Sequence, residues 1–210
     1  MTVPDFEQSV FINCPFDKDY EPILQAIIFC ILYFGFIPRL ASERSDAGEI
    51  RLHKIVECIK ASKYSIHDLS RSQAKESGEF FRLNMPFELG IDFGCREFDV
   101  GERRTKKFLI LDEKKHRYQA ALSDLSGCDI QTHQGEFEKA IGKVRSWLVN
   151  DAGAKNIGAS KVAGKYVDFQ AWYWETQKAA GSSEHDIKDY PTSEILANMK
   201  RWIEQGEPLT

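Results

Sequence analysis

The sequence predicts an α/β protein of flavodoxin-like architecture, with a parallel five-stranded sheet in the order 2-1-3-4-5 and a C-terminal helical extension. Within residues 1–150, short apolar runs alternate with longer amphipathic segments. This repeated alternation predicts a parallel sheet with helices on both faces, and five strands favour that order. The composition changes after Val149, which marks the start of the extension.

Five short apolar runs are the predicted strands. They cover residues 9–14, 36–41, 64–69, 107–112 and 129–132. Pro38 in the second run predicts an edge position, because proline has no N–H to donate to a neighbouring strand. The predicted helices cover residues 19–34, 49–61, 85–98, 116–125 and 136–149. Gly35 directly follows the first helix and suits the left-handed conformation that often ends a helix.

Two domains are predicted: residues 1–150 as the α/β domain and residues 151–210 as a linker and helical extension. Residues 150–164 are rich in glycine, alanine and lysine, as linkers often are, and residues 192–204 predict a last helix. Between them lie four aromatic residues at helical spacing, Phe169, Trp172, Tyr173 and Trp174. Such a stripe usually packs on a core. It can equally pack on a second copy, so a homo-oligomer is also considered.

Composition limits the classes of protein. The chain has 42% hydrophobic and 29% charged residues and a net charge of −4, which argues against general nucleic-acid binding. Its five cysteines show no CxxC pair, as expected for free thiols in a reducing compartment without a metal site. The most apolar stretch, residues 23–36, is interrupted by Gln25 and is too short for a bilayer span. A cytoplasmic protein without membrane association is therefore expected.

The most informative segment is residues 82–90, which read Arg-Leu-Asn-Met-Pro-Phe-Glu-Leu-Gly. Pro86 suits the first position of a helix, which makes Asn84 or Met85 the cap. Glu88 then falls in the first turn, where the helix dipole favours a carboxylate. Gly90 allows close approach of a backbone or ligand. The segment predicts a carboxylate at the place where open α/β sheets bind ligands, although a Glu there can also serve the dipole alone.

Other polar groups follow the predicted strands at the same edge of the sheet. His67 and Asp68 are adjacent and point to opposite faces if the strand is extended there. Arg51, near the start of the second helix, can hold a phosphate or can be a solvated residue. Asp68 can instead cap the turn into the loop, His67 can be a buried histidine bonded to backbone, and Asn84 can cap the third helix. The candidate ligand-binding residues are Asn13, Pro15, Phe16, His67 and Arg51, and the candidate catalytic residues are Glu88, Asn84 and Asp68.

Two polar loops complete the pattern. Residues 71–81 form a long polar segment that predicts a lid over the site. The basic run at residues 101–107 predicts a solvated surface loop. No glycine-rich fingerprint of the P-loop or dinucleotide type occurs in the chain, and no cofactor is expected.

The combination of Ser65-Ile-His-Asp-Leu-Ser70 with Asn84-Met-Pro-Phe-Glu88-Leu-Gly90 resembles a known pattern. It is similar to the N-x-x-(Y/F)-E-L-G helix start of TIR-like nucleotide-binding domains in bacterial defence proteins. Those domains are similar in fold to nucleoside 2-deoxyribosyltransferases and related nucleotide N-glycosidases. The opening segment at residues 10–16 also resembles their first strand and loop. The resemblance covers residues 8–150 as architecture, and its specific part is the segment around Glu88.

The resemblance implies cleavage or transfer at an N-glycosidic bond of a nucleotide, NAD or a nucleoside. Glu88 then matches the catalytic glutamate, Asn84 the asparagine of the motif, and Asp68 an acidic residue that contacts substrate. Phe16 is expected to stack on a base. The chain departs from deoxyribosyltransferases in the polar insertion before Asn84 and in its C-terminal helices, which leaves the substrate open.

Two other functions remain open at this point. One is a non-catalytic TIR-like module for nucleotide sensing or assembly, since some domains of this kind bind without turnover. The other is a phosphoacceptor receiver-type domain, whose strand order is similar. The second is disfavoured because no acidic pair follows the first strand; Asp17 stands alone, and Cys14-Pro15 fills the expected place.

Overall fold

The computed structural model describes residues 6–43, 46, 48–71, 83–120 and 122–209. Its core is a sheet of five parallel strands in the order β2-β1-β3-β4-β5, which confirms the predicted flavodoxin-like fold. The strands are β1 (Ser9–Asn13), β2 (Ile37–Arg39), β3 (Tyr64–Asp68), β4 (Lys107–Asp112) and β5 (Gln131–Thr132). Pro38 lies in β2 at the edge of the sheet, as its missing N–H predicted.

Helices surround the sheet and form the extension. They are α1 (Glu21–Tyr33), α2 (Arg51–Lys60), α3 (Asn84–Phe98), α4 (Phe137–Asp151), α5 (Ala159–Ala179), α6 (Glu184–Asp189) and α7 (Thr192–Glu204). The helix predicted over residues 116–125 is wrong. Two short 3-10 turns, Arg117–Ala120 and Ser123–Leu125, lie there instead. The positive φ of 62° at His116 is incompatible with the start of a right-handed helix.

The two faces of the sheet bury different sets of helices. In β1, Val10 and Ile12 join the large apolar cluster that contains α1 and α4, whereas Phe11 packs with Ile55 and Ile59 of α2. This alternation follows from the two-residue period of a strand. The structure therefore has α1 and α4 on one face and α2 and α3 on the other. Adjacent residues at the end of a strand therefore point toward helices on opposite faces of the sheet.

The C-terminal extension packs on α1 of the same chain. Phe29 of α1 lies 5.4 Å from Tyr166, 5.8 Å from Phe169 and 5.9 Å from Trp202, measured between ring centres. The connection between α4 and α5 covers residues 152–158, so the predicted linker is too long, and its last residues begin α5. Trp172 and Tyr173 are also buried in this cluster. These aromatics therefore no longer argue for a homo-oligomer, which stays a prediction.

The length and apolar character of the helices also bear on membrane insertion. Among the helices of the described segments, none combines the length and apolar character needed to cross a bilayer.

Replacing Trp202 by Ala tests whether the extension stabilises the sheet domain. Trp202 is fully buried between Phe29 and Phe169, so the cavity should lower the free energy of unfolding by about 3–5 kcal/mol. Urea denaturation measures the loss. Val167→Ala on the exposed side of α5 is the control and should cost at most about 0.5 kcal/mol. A Trp202→Ala protein as stable as the control would contradict a shared core.

Candidate functional site

The residue Glu88 lies one turn into α3. The helix begins at Asn84, with Leu83 as the N-cap residue and no side-chain cap. The predictions that Asn84 or Met85 caps the helix and that Pro86 is its first residue are therefore wrong. Asn84 is exposed and precedes Glu88 by four residues, so both side chains lie on one face of the helix.

Glu88 is a buried carboxylate without a close partner. It is 8% exposed, and among the described residues no hydrogen bond or ion pair to its oxygens occurs. Burial raises the pKa of Glu88 to about 7, while the positive charge of Arg51 acts in the opposite direction. Near neutral pH this carboxyl group is therefore divided between its protonated and ionised forms. A group in that state can act as an acid, a base or a nucleophile.

Two predicted ligand-binding residues, Phe16 and Arg51, form a pair, and the charge of Arg51 acts on Glu88. Phe16 follows β1 and is 45% exposed. Arg51 is the first residue of α2, and its guanidinium carbon lies 5.6 Å from the centre of the Phe16 ring. Pro15, in contrast, is buried. The structure thus places an exposed aromatic face against a cation whose charge acts on the Glu88 carboxylate.

Cys14 directly follows β1 and is buried. Burial raises the pKa of the Cys14 thiol well above its ordinary value, and the negative charges of Asp68 and Glu88 raise it further. A neutral, buried thiol is a poor nucleophile. Cys14 therefore contributes to the packing of the core.

A buried polar chain connects the start of α3 to the sheet. The amide nitrogen of Asn13 donates to the carbonyl of Met85 at 2.8 Å and lies 3.0 Å from His67 Nδ1. His67 Nε2 lies 3.1 Å from Asp92 Oδ2, and Lys106 Nζ lies 3.2 Å from Asp92 Oδ1. Because Asn13 donates to Nδ1, the hydrogen of the ring is on Nε2 and points at Asp92.

The buried polar chain includes His67 and Asn13, two residues that were predicted to bind ligand. His67 is fully buried, and both of its ring nitrogens face protein groups. The amide nitrogen of Asn13 is likewise engaged by protein groups, His67 and the Met85 carbonyl. Their predicted ligand-binding role stays a prediction, and the contacts observed are structural. Burial alone would raise the pKa of Asp92, but His67 and Lys106 outweigh it and hold that pKa below its ordinary value.

Sequence reasoning missed Asp92 and misjudged Lys106. Asp92 lies four residues after Glu88 on α3, and this spacing on one helix face was the available signal. Lys106 belongs to the basic run predicted to be solvated, yet it is buried and donates to the carbonyl of Ile59 at 2.8 Å. The prediction fails for Lys106 because the end of α2 covers it. Within the described residues no backbone approaches Gly90, since a Cβ there would meet no atom within 4 Å; the close approach of a ligand stays a prediction.

Asp68 is held by a second cluster on the opposite face. Oδ2 accepts from the Tyr20 hydroxyl at 2.6 Å and lies 3.0 Å from His133 Nε2, and Oδ1 accepts from the Ser70 N–H at 2.8 Å. Burial alone would raise the pKa of Asp68, but these hydrogen bonds, with His133 first, lower it. Asp68 is therefore an ionised carboxylate whose two oxygens are both occupied by protein donors.

The contacts of His133 exclude a catalytic triad. Ser70 Oγ and Asp68 Oδ2 both lie 3.0 Å from the same ring nitrogen, Nε2. The other nitrogen, Nδ1, accepts from the N–H of Gly135 at 3.0 Å. In a triad the acid and the nucleophile contact different nitrogens. Ser70 therefore lacks a general base here, and the cluster is a structural one at the ends of β3 and β5.

Salt bridges connect residues at the carboxyl ends of the strands, including the end of β4. Arg71 makes two hydrogen bonds to Asp17, at 3.0 and 3.1 Å, and Arg117 pairs with Asp112. Asp17 is thus a structural partner. The predicted lid at residues 71–81 lies, apart from Arg71, outside the described residues. A cavity of about 890 Å³ lies elsewhere, between α4 and β5, and is lined by none of the predicted site residues.

Comparisons of the chain with models of protein families, with curated proteins and with solved structures found no match. The resemblance to TIR-like domains is therefore still a prediction from the residues around Glu88.

The raised pKa of Glu88 makes stability depend on pH. The folded state binds this proton up to a pH of about 7, whereas an unfolded Glu releases it near 4.5. Stability therefore falls as pH rises from about 4.5 to 7. Glu88→Gln removes that fall, which we expect to be about 1–2 kcal/mol after allowance for partial solvent contact. Urea unfolding at pH 4.5 and pH 8 measures it.

The control for this comparison is Glu97→Gln, an exposed position on the same helix. It should leave the pH dependence of the parent protein unchanged. Equal pH dependence in the parent and the Glu88→Gln protein would show that Glu88 titrates normally.

Replacing Lys106 by Met tests the buried chain. The change leaves the Asp92 carboxylate buried without its cation, so we expect a loss of about 3 kcal/mol in the free energy of unfolding. Lys107→Met is the matched control, because the neighbouring Lys107 is exposed and contacts Asp151; it should cost at most about 1 kcal/mol. Similar losses in both variants, measured by urea denaturation, would contradict the importance of the Asp92–Lys106 pair.

Proposed function

We propose that this protein cleaves or transfers the N-glycosidic bond of a nucleotide, NAD or a nucleoside, with Glu88 as the catalytic carboxylate. The observation that carries the proposal is the state of Glu88: buried, unpaired among the described residues, and subject to the charge of Arg51, whose guanidinium lies over the exposed ring of Phe16. A structural carboxylate at this depth normally has donors, as Asp68 and Asp92 do.

The chemistry follows from the charge that develops in this reaction. As the bond between C1′ and the base nitrogen breaks, its electron pair leaves with the base, and positive charge grows on the sugar ring. An ionised Glu88 oxygen stabilises that charge and can form a bond to C1′. Water, or another acceptor, then displaces Glu88 from C1′ and loses a proton, while the departing base gains one.

Burial of Glu88 destabilises its ionised form but strengthens its attraction to the positive charge on the sugar. Its ionised form is poorly solvated, so the attraction to a developing cation is larger than it would be in water. Ionisation is needed for this step, so kcat/KM should rise with pH through about 7. The charge of Arg51 favours the ionised form.

The two other proposed catalytic residues have different positions. Asn84 is exposed on the same helix face as Glu88, so its amide can reach a ribose hydroxyl. Asp68 uses both oxygens on protein donors. We therefore propose that Asp68 orients the ribose indirectly, by fixing the loops at this edge of the sheet.

A second candidate function is a non-catalytic module that senses a nucleotide or assembles with other proteins. One observation favours it: Asn13, His67 and Asp68 are all engaged within the protein. Few polar groups beyond Glu88 and Arg51 are then left for chemistry. This function predicts nucleotide binding without any released base.

The test is base release by Glu88→Gln and by the parent protein, incubated with NAD, nucleosides and nucleotides and analysed by mass spectrometry. Glutamine keeps the size but cannot become an anion, so we expect a loss of at least about 10³-fold in rate. Glu97→Gln on the same helix should keep the parent rate. Base release by Glu88→Gln at the parent rate would refute the catalytic role. Binding without release by the parent protein would favour the sensing function.

A further inference from the structure

The start of α2 lacks the groups that usually satisfy a helix N-terminus. Its N-cap residue is Ile50, no side chain caps it, and no acidic residue lies in its first turn. The N–H groups of His53 and Lys54 donate to the Ile50 carbonyl. Among the described backbone hydrogen bonds, none uses the N–H groups of Arg51 or Leu52. These two N–H groups therefore have no backbone acceptor within the described structure.

The side chain of Arg51 adds a full positive charge at the same place. It is exposed and lies over the ring of Phe16. Within the described segments no carboxylate pairs with it. Guanidinium groups bind phosphate through several parallel hydrogen bonds, and helix N-termini bind it through backbone N–H groups. The two features together favour an anion with several oxygens.

Glu88 provides the independent sign that a ligand belongs here. It is more than nine-tenths buried and has no hydrogen-bond partner among the described residues. It is close enough to Arg51 for electrostatic coupling, yet the two do not form an ion pair within the described structure. A molecule that contacts both groups would pair with the carboxylate and the guanidinium at once. Such a molecule has hydroxyl donors toward Glu88 and negative charge toward Arg51.

Apolar side chains are exposed on the segments that carry these two charges. Five large hydrophobic residues are exposed on the loop after β1 and at the starts of α2 and α3: Phe16, Ile50, Leu52, Leu83 and Phe87. Exposed aromatic faces at a binding site suit the flat surface of a nucleobase. The same edge thus offers an apolar surface, a carboxylate and an anion site.

We propose that the ligand of this site is a nucleoside 5′-monophosphate, whose phosphate binds Arg51 and the first N–H groups of α2. This proposal rests on the proposed function only for the place of the sugar at Glu88. The base contacts Phe16 and its apolar neighbours. The terminal phosphate, with two negative charges and three free oxygens, matches the helix start better than the uncharged 5′-hydroxyl of a nucleoside.

The experiment is isothermal titration calorimetry with the full chain. The probes are adenosine, guanosine, cytidine and uridine, their 5′- and 3′-monophosphates, and inorganic phosphate. At least one 5′-monophosphate should bind the parent protein at least about tenfold tighter than its nucleoside and its 3′-isomer. Arg51→Gln should weaken that 5′-monophosphate by about 10–100-fold and change nucleoside affinity by less than about twofold.

Two variants serve as controls. Arg96→Gln removes another guanidinium that lies over aromatic rings, 4.6 Å from Phe93 and 4.5 Å from Phe108, and it should keep the parent affinities. Glu88→Gln should keep the preference for the 5′-phosphate. Equal affinity for nucleosides and 5′-monophosphates, equal affinity for the 3′-isomers, no binding of any probe, or an Arg51→Gln protein with parent affinities would each overturn the proposal.

The result separates this proposal from the catalytic one. Arg51-dependent binding of a 5′-monophosphate without release of base supports the phosphate site and overturns catalysis. Release of base from nucleosides, with no preference for the phosphate, supports catalysis and overturns the phosphate site.

Discussion

The position of α3 on the sheet depends on the buried chain from Asn13 through His67 and Asp92 to Lys106. Asn13 holds the first turn of the helix through the Met85 carbonyl, and Asp92 holds its second half. Glu88 lies between these two anchors on the same helix. Breaking a buried ionic chain leaves a charge without compensation, which is strongly unfavourable. The chain therefore fixes the backbone on which the candidate catalytic group is carried.

Asp68, Asp92 and Glu88 are three of the buried carboxylates, and the differences in their surroundings explain their electrostatics. Burial by itself would raise the pKa of each. For Asp68 and Asp92, hydrogen bonds and cations outweigh burial and lower it. For Glu88 the charge of Arg51 does not outweigh burial. The first two carboxylates stabilise the fold as anions, whereas Glu88 lowers stability when it ionises. The presence of a carboxylate that destabilises the fold is consistent with a functional role for Glu88.

The two faces of the sheet carry different sets of contacts at this edge. On the face of α1, the aromatic contacts of Phe29 with α5 and α7 bury the extension, and Tyr20 and His133 fix Asp68. On the face of α2 and α3 lie the polar chain, Glu88 and Arg51. The exposed hydrophobic side chains at the start of α2 and α3 belong to this second face. Stability and the candidate site are thus concentrated on opposite sides of β1 and β3.

The sequence by itself determined the sheet, because the alternation of apolar runs and helices is a local property, and Pro38 identified the edge strand. It also singled out Glu88 through the helix start around it. Only the tertiary structure decided that Lys106 is buried, that Asp92 pairs with it and with His67, and that Asp68 is saturated by Tyr20 and His133. The partners in these contacts come from different elements, and burial and pairing depend on which elements pack together. No local pattern in the chain records that packing.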